Sequence, residues 1–159
     1  MAYSLTPDQN ALDEAIERIC ADFGDDYWLA RDTCGKFPEE FVAAEGGWLG
    51  IAMPEAHGGA GLGVTEAALM MRRVAQSGGG FAAASSVHIN IFGPHPITKF
   101  GTAEQQARML PPLIRGEDRT CFGVTEPNAG LDTGAITTRA DWDGSHYVVH
   151  GQKLWTSTA

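Results

Sequence analysis

The chain has 159 residues, 43% of them apolar and 19% charged, which suffices for one core of ordinary size, or one complete domain with the beginning of another, and argues against a disordered tail. Its 20 acidic side chains against 11 basic ones give a formal charge of −9, which repels a phosphate backbone and argues against nucleic acid as a partner. No stretch approaches the ~18 apolar residues of a bilayer span, and the start MAYSLTPDQN lacks the basic and apolar regions of a signal peptide, so a cytoplasmic location is the expectation.

Thr6-Pro7-Asp8-Gln9 reads as a capping box, with Pro7 where no donor is needed. Leu12, Ala15, Ile16 and Ile19 then recur at helical spacing until Phe23-Gly24, which predicts an amphipathic outer helix. Asp25 to Cys34 and Pro38 to Leu49 read as two further short helices, each closed by glycine. IAMPEAHGGAGLG is a turn-rich connector. Thr65 can cap a helix from Glu66 to about Gln76, Gly78-Gly79-Gly80 breaks it, and Phe81 to Ile91 resumes as an almost uncharged helix suited to the middle of a bundle. Thr102-Ala103-Glu104-Gln105 repeats the capping box and starts a last helix, which Pro111-Pro112 must kink or restart.

Past Arg115-Gly116-Glu117-Asp118 the texture changes. Thr120 to Thr125, Ala135 to Trp142, His146 to His150 and Lys153 to Ser157 are rich in β-branched and aromatic residues and separated by Gly-containing turns, which predicts strands. The expected boundary therefore lies near residue 118, with a helical domain at 1–118 and the beginning of a β domain at 119–159 whose final strand is cut off at Ala159.

The glycines of Gly58-Gly59-Ala60-Gly61-Leu62-Gly63 fit no frame of the dinucleotide fingerprint. His146 and His150 would lie ~13 Å apart on a strand, too far for one ion. Cys20, Cys34 and Cys121 form no CxxC pair, and reduced, partly buried thiols are the expectation. No metal site and no Ser/His/Asp arrangement emerges.

FGVTEPNAGLD, residues 122 to 132, carries more. Glu126-Pro127 turns the chain, and Asn128-Ala129-Gly130 are residue types that tolerate positive φ and close backbone approach. Such a turn exposes N–H groups able to meet an anion or the polar edge of a heterocycle; a β-to-β turn without ligand fits equally. Lys153-Leu154-Trp155-Thr156-Ser157 adds a ring to stack and hydroxyls to donate, with alternation pointing Trp155 and Ser157 to one side.

Taken in order, "PEAHGGAGL", "ITKFGTAEQQARMLPPLIRGE", "FGVTEPNAGLDTGAITTRA" and "DGSHYVVHGQKLWTS" resemble the acyl-CoA dehydrogenases, a family of FAD-dependent flavoproteins. The T-E-P-x-A-G turn and the G-x-K-x-W-x-[ST] strand are its most specific pieces. The resemblance implies an α+β fold, an all-α helical bundle followed by the first strands of an incomplete β-barrel domain. It implies that Phe122, Val124 and Thr125 lie along the flavin ring system, that Gly130 and Leu131 pass near the cofactor's pyrophosphate and the substrate's pantetheine arm, and that Trp155, Thr156 and Ser157 pack by the flavin, the Ser157 hydroxyl approaching N5. Leu131 stands where the family commonly has serine, which leaves only a backbone N–H there.

The implied activity is α,β-dehydrogenation of an acyl-CoA thioester, by α-proton removal and hydride transfer to flavin N5, with electrons passed to an electron-transferring flavoprotein and a homodimeric or homotetrameric assembly. The catalytic base is expected beyond this chain, no residue here is assigned a catalytic role, and Glu126 is read as a turn residue. The 159 residues alone are expected to be inactive and to hold FAD weakly. The alternatives are a non-catalytic module of this fold that binds a partner chain, or an acyl-CoA oxidase or flavin monooxygenase relative.

Overall fold

Thr6 opens the first helix as its neighbours dictate: its hydroxyl accepts from the Gln9 N–H at 3.2 Å while the Gln9 side chain takes the Thr6 N–H at 3.1 Å. The computed structural model of the chain, which describes residues 4–45 and 47–156, divides into two compact units, Met1–Arg119 and Thr120–Ala159.

The first unit is helical. In chain order it holds α1 (Pro7–Ala21), α2 (Asp25–Cys34), α3 (Glu39–Ala44), α4 (Val64–Ala75), α5 (Gly80–Phe92), α6 (His95–Phe100) and α7 (Ala103–Ile114). α1 packs on α4, α4 on α5, and α3 on α5, so α4 and α5 each have helices on two sides, while Phe81 and Phe92 of α5 stay exposed. Ile16 from α1, Met70 and Val74 from α4, and Val87 from α5 are fully buried in one cluster, each worth about 1.5–3 kcal/mol of transfer free energy. Asp13 ties α1 to α4 by accepting from Arg73 and, at 3.1 Å, from Arg72. The Arg73 guanidinium, more than that of Arg72, holds the Asp13 carboxyl below its ordinary range. An aromatic group of Phe23, Tyr27, Trp28 and Phe41 closes the other end, its rings edge-to-face at 4.9–5.3 Å.

Several boundaries differ from expectation. α3 ends at Ala44, and residues 45 and 47–52 form turns rather than helix to Leu49. Thr65 does not cap α4: Gly63 is the capping position, and the Glu66 carboxylate accepts its N–H at 3.1 Å. α6 is an element that the sequence pattern does not announce: Gly93 and Pro94, residue types that usually end a helix, take helical angles here (φ −54°, ψ −41° and φ −74°, ψ −8°). α7 continues through Pro111 and Pro112 to Ile114. The two missing donors are offset there by burial of Leu110, Leu113 and Ile114, and Arg115 N–H bonds the Pro111 carbonyl at 3.1 Å.

The connector before α4 folds back on itself, Ala60, Gly61 and Leu62 donating to the carbonyls of Gly50, Met53 and Ile51 at 2.8–3.0 Å. Gly59 is required by close approach, since a Cβ there would lie 2.6 Å from the Met53 carbonyl carbon.

The second unit holds one antiparallel hairpin, β1 (Arg139–Trp142) and β2 (Tyr147–His150), with Arg139 opposite His150 and Trp142 opposite Tyr147. Its turn is pinned by Asp143, whose Oδ1 accepts the N–H groups of Ser145 and His146 at 2.9 and 3.0 Å. The strand expected from Ala135 begins only at Arg139, because residues 133–135 form a 3₁₀ turn and the amides of Thr137 and Thr138 bond the Glu126 carboxylate instead of a ladder. The segments at 120–125 and 153–156 run without a ladder of their own. A helical unit followed by the opening strands of a β unit is thus the observed fold class.

Candidate functional site

Glu126 organises the second unit. Its side chain is only 4% exposed. Oε2 accepts the Thr137 N–H at 2.8 Å and the Thr137 hydroxyl at 2.9 Å, while Oε1 accepts the Thr138 N–H and the Lys153 ammonium, both at 2.9 Å. Donors from Thr138, Lys153 and Thr137 hold its carboxyl far below the usual carboxylate range, since each favours the ionised form. A carboxylate so occupied is no proton acceptor at neutral pH. Lys153 Nζ donates in addition to the Val124 carbonyl at 3.0 Å.

Glu126 and Ala129 exchange backbone bonds of 2.9 and 3.2 Å across Pro127 and Asn128, so the turn falls where the sequence places it. No residue from Asn128 to Gly130 takes a positive φ, however, and a Cβ added at Gly130 would meet nothing within 4 Å. What these small residues leave open is space outside the chain. The N–H groups of Phe122, Val124, Thr125, Gly130 and Leu131 donate to no acceptor among the described residues.

Thr125 pairs with Leu154, the residue before Trp155. The Leu154 N–H donates to the Thr125 carbonyl at 2.9 Å, which sets residues 122–125 beside 153–156. A Cβ on Gly123 would lie 3.4 Å from Thr156 Oγ1 and 3.5 Å from Lys153 Cγ, so the two segments touch there. Trp155 is 88% exposed and takes φ 57°. This left-handed residue breaks the alternation expected of a strand, since a bulky side chain at positive φ re-aims the chain. Phe122 is 55% exposed and Leu131 fully so, while Val124, Thr125 and Thr156 are half-buried. Ser157 lies outside the described residues.

The segment that carries Phe122, Val124 and Thr125 therefore runs beside the one that carries Trp155 and Thr156, and Gly130 and Leu131 follow the Glu126 turn. The arrangement offers a row of unshared N–H donors and an exposed indole, a donor set suited to a planar group with an acceptor-rich edge. Sequence reasoning placed Glu126 in the turn, where it lies, but not at the centre of these side-chain bonds, and gave Lys153 no role; the two stand 27 positions apart, and nothing local pairs them. Among the described residues no three His, Cys, Asp or Glu side chains form a metal-binding group, and no helix is long and apolar enough to cross a membrane.

The profile of the acyl-CoA dehydrogenase N-terminal domain matches residues 6–117. The chain belongs to the acyl-CoA dehydrogenase family. An acyl-CoA dehydrogenase of Mycobacterium tuberculosis is 35% identical over 94% of this chain and 39% of its own length, and a probable acyl-CoA dehydrogenase of Bacillus subtilis is 32% identical over 100% and 42%. Among solved structures, the glutaryl-coenzyme A dehydrogenase–glutaryl-CoA complex superimposes with a TM-score of 0.88 at 26% identity, over 98% of this chain and 40% of the other. The chain thus spans about two-fifths of the length of the acyl-CoA dehydrogenases it matches. Both units lie inside the aligned region, so the Glu126 turn and the Trp155 segment belong to the part shared with the family.

Proposed function

We propose that this chain forms the helical domain and the flavin-facing edge of an FAD-dependent acyl-CoA dehydrogenase acting on an acyl-CoA thioester. The observation that supports the reading is the Leu154 N–H to Thr125 carbonyl bond of 2.9 Å, which pairs the segment bearing the unshared donors with the segment that carries the exposed Trp155. Bound FAD would supply the hydride acceptor and pass electrons on to an electron-transferring flavoprotein.

This chain's residues bind and orient. Phe122, Val124 and Thr125 would hold the ring system by backbone N–H groups and the Thr125 hydroxyl, and Trp155 would supply the aromatic wall with Thr156 behind it. Gly130 and Leu131 would offer N–H donors to the pyrophosphate, Leu131 also lying against the pantetheine arm of the substrate. Ser157 completes the set with a second hydroxyl. None of these groups removes the substrate's α-proton, and Glu126 is disqualified because its lone pairs are taken. The base is assigned to a segment outside these 159 residues, so the chain by itself is expected to be inactive. A homodimer or homotetramer is the proposed assembly.

The experiment is a flavin titration of the full-length protein followed by turnover with acyl-CoA thioesters of graded chain length and an artificial electron acceptor. Bound flavin that is bleached by a thioester under anaerobic conditions supports the reading; absence of flavin uptake sinks it. Trp155→Ala is expected to weaken FAD binding by roughly tenfold, the loss of one stacking wall. Activity with molecular oxygen as sole acceptor would favour the oxidase or monooxygenase alternative.

A further inference from the structure

Three stretches without a ladder between them meet at one carboxylate. Glu126 accepts from the Thr137 and Thr138 amides and from Lys153, and Lys153 reaches on to the Val124 carbonyl. We infer that Glu126 is a positioning residue: through Lys153 it fixes the spacing of Phe122–Thr125 against Leu154–Thr156, and so the shape of the edge that meets the isoalloxazine. This rests on the flavin-facing reading above.

Residues 122–125 and 153–156 share one backbone bond, Leu154 N–H to the Thr125 carbonyl. A single bond sets a distance but leaves the two segments free to rotate about it. The Lys153 ammonium, bonded to both the Val124 carbonyl and Glu126, is the second point of attachment that removes this freedom. Trp155 follows two residues later in a left-handed conformation, which costs a residue with a Cβ backbone energy. The Glu126 side chain bonds only Thr137, Thr138 and Lys153 among the described residues, none of them a group offered to the ligand, so its influence on the cofactor is carried by Lys153 and its bond to the Val124 carbonyl. Glu126→Gln keeps the shape but puts an NH2 donor among donors, which displaces Lys153 or one threonine amide. Lys153→Met removes the reach to Val124 and leaves the threonine bonds to Glu126 in place.

The test uses the full-length protein in three forms, wild type, Glu126→Gln and Lys153→Met. Amide hydrogen exchange at Leu154 reports the pairing of the two segments without any flavin, and exchange across the β1–β2 ladder reports that the unit stays folded. Equilibrium titration gives the FAD dissociation constant and the shape of the bound flavin's visible band. In both variants Leu154 exchange is expected to accelerate by about tenfold with the ladder unchanged, the FAD dissociation constant to rise by about tenfold, and the band to shift toward that of free flavin.

Unchanged Leu154 exchange, or unchanged FAD binding and band shape, in both variants overturns the inference. Should Glu126→Gln lose ladder protection, Lys153→Met decides; loss of the ladder in both variants makes the pair a folding determinant and overturns the positioning role. A wild type that takes up no FAD overturns the flavin-facing reading and this role with it. That failure is recognised because it lies in the unmutated protein.

Discussion

Two buried glutamates illustrate opposite solutions to the same problem. Glu126 is surrounded by donors and stays ionised; Glu45, fully buried with neither carboxylate oxygen hydrogen-bonded among the described residues, has its pKa pushed up to about 7 by burial. Their contributions to stability run in opposite directions with pH. The Glu126 contribution is present above the ordinary carboxylate range and fades as acid protonates the group. The Glu45 contribution is complete below its unfolded value near 4.5 and is lost as pH rises toward 7, a loss of about 3 kcal/mol for a shift of this size. Urea melts at pH 5 and pH 8 check this: Glu45→Gln is expected to gain on the wild type between the two, because an amide has no charge to bury. Burial likewise raises the Cys20 thiol to about 11, which makes it a packing residue in α1 and a poor nucleophile.

At the scale of the element, the capping boxes of α1 and α7 carry most of what local chemistry can specify. Thr102 accepts the Gln105 N–H at 3.2 Å while Gln105 bonds back at 2.9 Å, so Thr102→Ala is expected to cost about 1 kcal/mol in a denaturant melt. Gly59→Ala, which sets a methyl against the Met53 carbonyl, is expected to cost more, because the obstacle is backbone. Legibility at this scale was uneven for a physical reason. Capping residues act within four positions, so α1, α2 and the start of α7 could be read directly. The end of α7 and the whole of α6 depended on burial of Leu110, Leu113 and Ile114 and on Gly93 and Pro94 accepting helical angles, which no local pattern announces. Strands fared worse: 120–125 and 153–156 have the composition of strands, but their partners are a side-chain carboxylate and one another.

For the molecule as a whole, ligand linkage gives the clearest check. FAD that binds the native state alone adds about 2.7 kcal/mol when present at 100 times its dissociation constant, so thermal melts of the full-length protein are expected to rise by several degrees with added FAD. The Trp155→Ala form should show a smaller rise at the same concentration. The −9 charge adds that no shift is expected with duplex DNA, even at low salt.

The sequence by itself determined where helices start, where the helical texture yields to β-branched residues near residue 118, and which family signatures are present, since each of these is written in neighbouring residues. Only the tertiary structure decided that Glu126, a residue of the turn, is also a buried hub, that Lys153 is its partner, and that Thr125 lies against Leu154 while Trp155 turns outward. Those facts join positions some 27–29 residues apart, and a carboxylate's environment is set by which donors the fold delivers to it.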